Sequence, residues 1–251
     1  MRVYTFIGRV HPERYNYSMH GMPMVTFSPG DGTTTSYQFQ LDNSQMAIRV
    51  ETDREVSLLN LKNAVSGMAS AALDSLGFVL SEALDLEIVS CVDPDGKWHV
   101  FNTIFDGFRE QGTGAAEREH AALNMLIPHA LSSMAVHLAI SDLRRAIREP
   151  SDTAFHCYRA VESIRQEYIG EVNDRRNRSE SWDRLRQAVG MPRADLDWLK
   201  DLSERRRHGE PVDVSHEMRE RALRIARDVV NKHCSMRPLA ANVKVETVTG
   251  S

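Results

Sequence analysis

The sequence predicts an α+β protein: an N-terminal antiparallel sheet packed on a long helix, followed by a C-terminal all-α helical bundle. Three observations carry this. Between Arg2 and Val50, and again from Leu84 to Val100, apolar and polar residues alternate with the period of half-buried strands. From Ser57 to about Glu82 the period changes, and Leu58, Leu61, Val65, Met68, Ala72, Leu76 and Leu80 recur at the spacing of one helix face. Beyond residues 109–116, REQGTGAA, almost the whole chain keeps helical spacing. The expected domains are residues 1–112, β-rich α+β, and residues 113–235, a helical bundle, with a tail at 236–251.

In the first domain, β-branched and aromatic residues from Arg2 to Val10 make the first expected strand and residues 22–28 the second, followed by a Pro- and Gly-containing turn at Ser28 to Gly32. Tyr37, Phe39 and Leu41 alternate with Ser36, Gln38 and Gln40, and Met46, Ile48 and Val50 resume the pattern after Asp42-Asn43-Ser44. This predicts a meander with one wet face, its dry face covered by the helix. Leu84, Leu86, Ile88, Ser90 and Val92 return to period two, and Asp93-Pro94-Asp95-Gly96 turns the chain into Trp98 and Val100.

The second domain reads as a helix over about 115–126 that meets Pro128, where the chain must break or kink, then one over 129–148 on Leu131, Met134, Leu138 and Leu143. After Pro150 and Ser151 a third, 152–169, carries Phe155, Tyr158, Val161, Ile164 and Tyr168. A basic loop is expected at 173–179, then a helix with Trp182, Leu185 and Val189. The last helix, 215–233, places Met218, Ala222, Ile225 and Val229 on its dry face and Arg219, Arg224 and Arg227 on its wet one. Several helices joined by short loops make a bundle. In the tail, Val243, Val245 and Val248 suggest a short strand.

The chain has 251 residues, 41% of them hydrophobic, enough for a proper core. Its net charge of -4 argues against a generic nucleic-acid coat, but the charge is uneven. Residues 1–136 hold 9 Lys+Arg against 16 Asp+Glu (-7), and residues 137–251 hold 22 against 19 (+3), so a polyanion site belongs in the second half. Three distant cysteines, Cys91, Cys157 and Cys234, suggest no disulfide framework, and neither a signal peptide nor a membrane-spanning run is expected. A cytoplasmic protein without a membrane segment is expected.

No Rossmann, P-loop or nucleophile-elbow glycine pattern occurs. Asp93 to Gly96 resembles a fragment of a calcium loop but lacks the closing glutamate, so a plain turn is expected. His11 and His20 read as surface residues. In His156-Cys157 and His233-Cys234, neighbours on a helix point about 100° apart, which disfavours a zinc site. No metal and no cofactor is expected.

The most informative stretch is LDWLKDLSERRRHGE, Leu196 to Glu210. Leu196, Leu199 and Leu202 give one inward face, while Arg205, Arg206, Arg207 and His208 project from the last turn before Gly209 and Pro211 stop the helix. Permanent cations beside a side chain that titrates near neutrality suit an RNA backbone. Cations in a last turn also simply offset the helix dipole.

AFHCYRAVESIRQEY at Ala154 to Tyr168, followed some forty residues later by RRRHGEP and a capped terminal helix, resembles the HEPN superfamily over roughly residues 129–235. The resemblance implies a HEPN-like bundle, a homodimer through it and, in active members, metal-independent RNA cleavage in bacterial defence or toxin–antitoxin systems. The family's pattern is an arginine, four to six residues and a histidine. His208 matches the histidine; the positions that spacing demands are Asp201, Leu202 and Ser203, and the arginines lie one to three residues before His208. The resemblance thus assigns catalysis to His208 with Arg205 or Arg206, with His208 taking the proton of a ribose hydroxyl and a guanidinium holding the phosphate. Arg207, Arg175, Arg176 and Arg178 are the expected nucleic-acid contacts, with Tyr158 and Glu162 in support. Three functions stay open: an RNA-associated protein that cleaves weakly or not at all, a ribonuclease using His208, and a regulatory module whose N-terminal domain docks a protein partner. The first and third are favoured over the second.

Overall fold

The alternation of the first hundred residues is realised as six strands: β1 (Arg2–His11), β2 (Val25–Phe27), β3 (Thr35–Asp42), β4 (Gln45–Thr52), β5 (Asp85–Val92) and β6 (Trp98–Val100). They form one antiparallel sheet in the order β2-β3-β4-β1-β5-β6. The computed structural model describes residues 1–13, 16–19, 24–28, 33–101, 112–170, 175–210 and 214–237. It divides into two compact units, residues 1–103 and 104–251, each with its own hydrophobic core.

In the first unit, Tyr4 and Phe6 of β1 lie opposite Val50 and Ile48 of β4, which face Tyr37 and Phe39 of β3. All six are buried together with Leu61, Val65, Ala69 and Leu73 of helix α1 (Leu58–Leu80). A slip of one residue would turn this set to the other face, which fixes the register. Ser57 starts α1 by accepting the Asn60 N–H, and Ser81 ends it in the left-handed region. Gly77 is required at that end, because a Cβ there would meet the Glu82 carbonyl at 2.5 Å. The sheet contains the meander β2 to β4 and the hairpin β5–β6, and β1 sits between β4 and β5 and joins them. Alternation sets which side chains share a face; it does not set strand order.

The second unit consists of α2 (Ala115–Ser132), α3 (Met134–Arg148), α4 (Thr153–Arg165), α5 (Arg175–Val189), α6 (Arg193–Arg207) and α7 (His216–Met236), with short 3-10 turns at Pro150–Asp152 and Gln166–Tyr168. Helix α4 is central, touching α3, α5, α6 and α7 and burying Ala154, Cys157, Tyr158, Ala160, Val161 and Ile164.

Three expectations are corrected. Pro128 lies inside α2, and the break comes at Ser133, whose hydroxyl accepts the Val136 N–H and starts α3. The ring removes only the bond to the carbonyl of Asn124, an exposed residue, where water can replace it. The expected basic loop is helical from Arg175 onward, supported by Glu180 pairing with Arg176 at 2.7 Å and Arg184 at 3.2 Å. Arg219, expected on the wet face of α7, is 5% exposed. Its Nε donates to the Thr153 hydroxyl at 2.8 Å and its Nη2 to the Ile147 carbonyl at 2.9 Å, so it closes the C-terminal end of α3.

His20, the turn at residues 29–32, Pro211, residues 171–174, residues 109–111 of the expected domain boundary and the valines of the tail lie outside the described residues.

Candidate functional site

Helix α6 ends as its sequence demands. Gly209 takes φ +74°, its N–H bonds to the Arg206 carbonyl at 3.0 Å, and the Glu210 N–H bonds to the Arg205 carbonyl at 3.0 Å. Two of the last carbonyls are thereby satisfied and the chain turns away directly after His208.

The three arginines diverge, since successive helical residues point about 100° apart. Arg205 pairs with Glu210 at 3.3 Å on the exposed surface. Arg206 holds Asp152 with both arms of its guanidinium, Nε to Oδ1 at 2.6 Å and Nη2 to Oδ2 at 3.4 Å, and this carboxylate raises its pKa further. Asp152 immediately precedes α4, where a negative charge also suits the helix N-terminus. Arg207 is exposed and forms no ion pair among the described residues, but it acts electrostatically on Tyr158 and Glu162. His208 is exposed, its side chain without a hydrogen bond among the described residues.

Tyr158 and Glu162 are one helical turn apart on α4. Burial pushes the Tyr158 hydroxyl up to about 12, with Glu162 adding to the shift. Burial also raises the Glu162 carboxyl above its ordinary value, against the pull of Arg165, Arg207 and Arg159. Tyr158 stacks on Trp182 of α5 with centroids 5.8 Å apart, and the Arg165 guanidinium lies 4.7 Å from the Trp182 ring centroid. Arg165 Nη1 donates to the Arg178 carbonyl at 3.4 Å, tying α4 to the start of α5. Among the described residues, the buried Arg165 Nε and Ser203 Oγ have no hydrogen-bond partner. Ser203, one turn before Arg207 on α6, is fully buried.

The charge of Arg207 thus acts on Tyr158 and Glu162, whereas Arg206 is directed to Asp152. Arg178 and the exposed Arg176, paired with Glu180, lie at the start of α5, which Arg175 opens. Sequence reasoning missed Arg165, although its place three residues after Glu162 puts it on the same helix face. The approach of Trp182 from another helix leaves no such signal.

A separate polar cluster surrounds buried Asp142 of α3. His156 Nδ1 lies 3.4 Å from one of its oxygens and Arg159 Nε 3.5 Å from the other, while His156 Nε2 meets Glu149 at 3.0 Å. The two carboxylates occupy opposite ring nitrogens, so they do not converge on one ion. No group of three or more metal-binding side chains occurs among the described residues. Asp93 uses its carboxylate to hold the β5–β6 turn, accepting the Asp95 and Lys97 N–H groups at 3.0 and 2.9 Å and pairing with His99 at 2.7 Å. No helix among them is long and apolar enough to cross a membrane.

Residues 4–101 match the N-terminal domain, and residues 123–238 the C-terminal domain, of a family described as a domain of unknown function, DUF8168. The chain belongs to the DUF8168 family. Its candidate site falls within the DUF8168 C-terminal domain, which includes all of α3 to α7. No curated protein and no solved structure matches the chain.

Proposed function

We propose that the second unit is a HEPN-like module that binds RNA in the cytoplasm through phosphate contacts at the end of α6, with little or no cleavage. The observation that carries this is Arg207, an exposed guanidinium without an ion pair among the described residues, whose charge acts on the buried Tyr158 and the half-buried Glu162. Arg205 and Arg206, the catalytic candidates, are engaged by Glu210 and Asp152, which favours binding over turnover. Arg176 and Arg178 extend the cationic surface along α5. A role in bacterial defence or toxin–antitoxin systems follows from the HEPN resemblance. A homodimer through the bundle is supported by five exposed apolar side chains, Leu123, Ile127 and Leu131 of α2 with Met134 and Leu138 of α3. Exposed Trp98 and Val100 on the edge strand β6 offer the first unit a surface for a protein partner.

The test is titration of single-stranded RNA in chelator across a salt series, with product ends resolved, for wild type, Arg207→Gln and His208→Ala. The expected result is salt-sensitive binding of intact RNA, weakened by Arg207→Gln with the loss of about one phosphate contact from the salt slope. Cleavage abolished by His208→Ala would establish the ribonuclease instead. Absence of binding at low salt would overturn both.

A further inference from the structure

We infer that Asp152, at the start of α4, is a built-in competitor for RNA at the end of α6: it holds the Arg206 guanidinium in the free protein, and a backbone phosphate takes its place when RNA binds. The inference rests on the RNA-binding role proposed for the α6 end and names the contact that regulates it. It starts from an ion pair of defined geometry. Arg206 meets Asp152, 54 residues earlier, through Nε at 2.6 Å and Nη2 at 3.4 Å, one arm on each carboxylate oxygen. Two N–H donors set against a planar anion are also how arginine holds a phosphate, so the carboxylate and a phosphodiester ask for the same edge of the guanidinium. That edge serves one of them at a time.

The supports of the two side chains decide which one moves. The Asp152 N–H donates to the Glu149 carbonyl at 3.1 Å. The next residue, Thr153, is fully buried; its hydroxyl donates to the Ala146 carbonyl at 2.9 Å and accepts from Arg219 Nε at 2.8 Å. Asp152 therefore sits on a fixed base, whereas Arg206 is a long side chain in the last turn of α6, and the guanidinium is the part that swings. With the two side chains 39% and 32% exposed, water and ions reach the pair, and ion pairs open to water contribute little to stability. RNA anchored on exposed Arg207 presents its neighbouring phosphates to Arg206 as an intramolecular step, an advantage that a single anion lacks. Asp152 thus keeps isolated anions off Arg206 and yields to a chain of phosphates. Arg205 provides the contrast. Its contact with Glu210, five residues on, is a single arm at 3.3 Å with both side chains more than half exposed.

The experiment titrates a single-stranded RNA oligonucleotide, in chelator and at several salt concentrations, into wild type, Asp152→Asn, Glu210→Gln, Arg206→Gln, Arg206→Lys and Arg207→Gln. Asp152→Asn is also combined with each Arg206 variant, and melting curves check that every protein is folded. Asp152→Asn is expected to bind roughly fivefold tighter, the scale on which an ion pair of this exposure opposes release of the arginine. Arg206→Gln in that background is expected to cancel the gain, and Arg206→Lys, which keeps the charge but not the fork, to cancel most of it. Glu210→Gln makes the same charge change at the same helix end and is expected to gain less than about twofold. Equal gains for Asp152→Asn and Glu210→Gln, or a gain that survives Arg206→Gln, would show that loss of negative charge acts by itself and would overturn the inference. Unchanged or weaker binding by folded Asp152→Asn, with wild-type binding still sensitive to Arg207→Gln, overturns it too and leaves the RNA-binding proposal standing. No binding by any of these proteins at low salt overturns both.

Discussion

Arg219 shows how far single residues were legible. With Arg224 and Arg227 it forms a regular arginine series, and that pattern alone places it in water. Its burial becomes understandable only once α7 is laid against the end of α3, where the carbonyl of Ile147 and the hydroxyl of Thr153 need donors. Desolvation lowers its pKa to about 10, so it remains a cation near neutrality. Arg219→Ala leaves those acceptors buried and unsatisfied and is expected to cost about 3 kcal/mol, read as a lower midpoint in urea unfolding. A loss below about 1 kcal/mol would show that the end of α3 finds other donors. At the candidate site, Tyr158 and Glu162 were legible as partners because they share one helix face. Arg207, whose charge acts on both, was legible only as one of three consecutive arginines, and helix rotation separates it from Arg206.

At the scale of elements, spacing identified every helix of the bundle, while their ends depended on local chemistry. Pro128 reads as a break or kink, yet Ser133 provides the cap. The end of α7 carries a further feature that periodicity does not reveal. His233, 1% exposed, is hydrogen-bonded to the Tyr168 hydroxyl through Nδ1 at 2.9 Å, and its Nε2 lies 3.2 Å from Glu167. Glu167 also receives the Ser133 hydroxyl and Arg237, so this array joins α7 to the start of α3. The neutral ring satisfies both neighbours when Nε2–H donates to Glu167 and Tyr168 donates to Nδ1. Burial lowers the His233 pKa below its ordinary value of about 6.5. The unfolded chain therefore binds the proton more readily than the folded one. The His233 contribution to stability is complete above about pH 6.5 and is lost as pH falls through the lowered folded value. Urea midpoints measured from pH 8 to pH 5 are expected to fall across that window in wild type. His233→Gln should be less stable at pH 8 but show a flatter profile. Parallel profiles for the two proteins would place the acid sensitivity elsewhere.

For the whole molecule, the change of period near residues 109–116 anticipated two bodies, and each has its own core. The six-strand order was not readable, because strand neighbours are chosen by long-range packing that alternation does not encode. Surface apolar residues carry the remaining information. Residues 116–124 of α2 are exposed throughout, so this half of the helix lacks the tertiary packing on which helices of its length depend. Leu123, Ile127 and Leu131 nevertheless repeat every four residues on one face, and exposed Met134 and Leu138 continue the apolar surface onto α3. Covering such side chains contributes about 1.5 kcal/mol or more each, and a twofold axis brings the same set from a second copy. The proposed homodimer therefore predicts a molar mass of two chains in light scattering at micromolar concentration. Ile127→Glu combined with Leu131→Glu should return it to one, with the RNA titration repeated on the monomer to read how far binding depends on pairing. A wild-type chain that stays monomeric at every accessible concentration would sink the dimer and leave this face to a different partner.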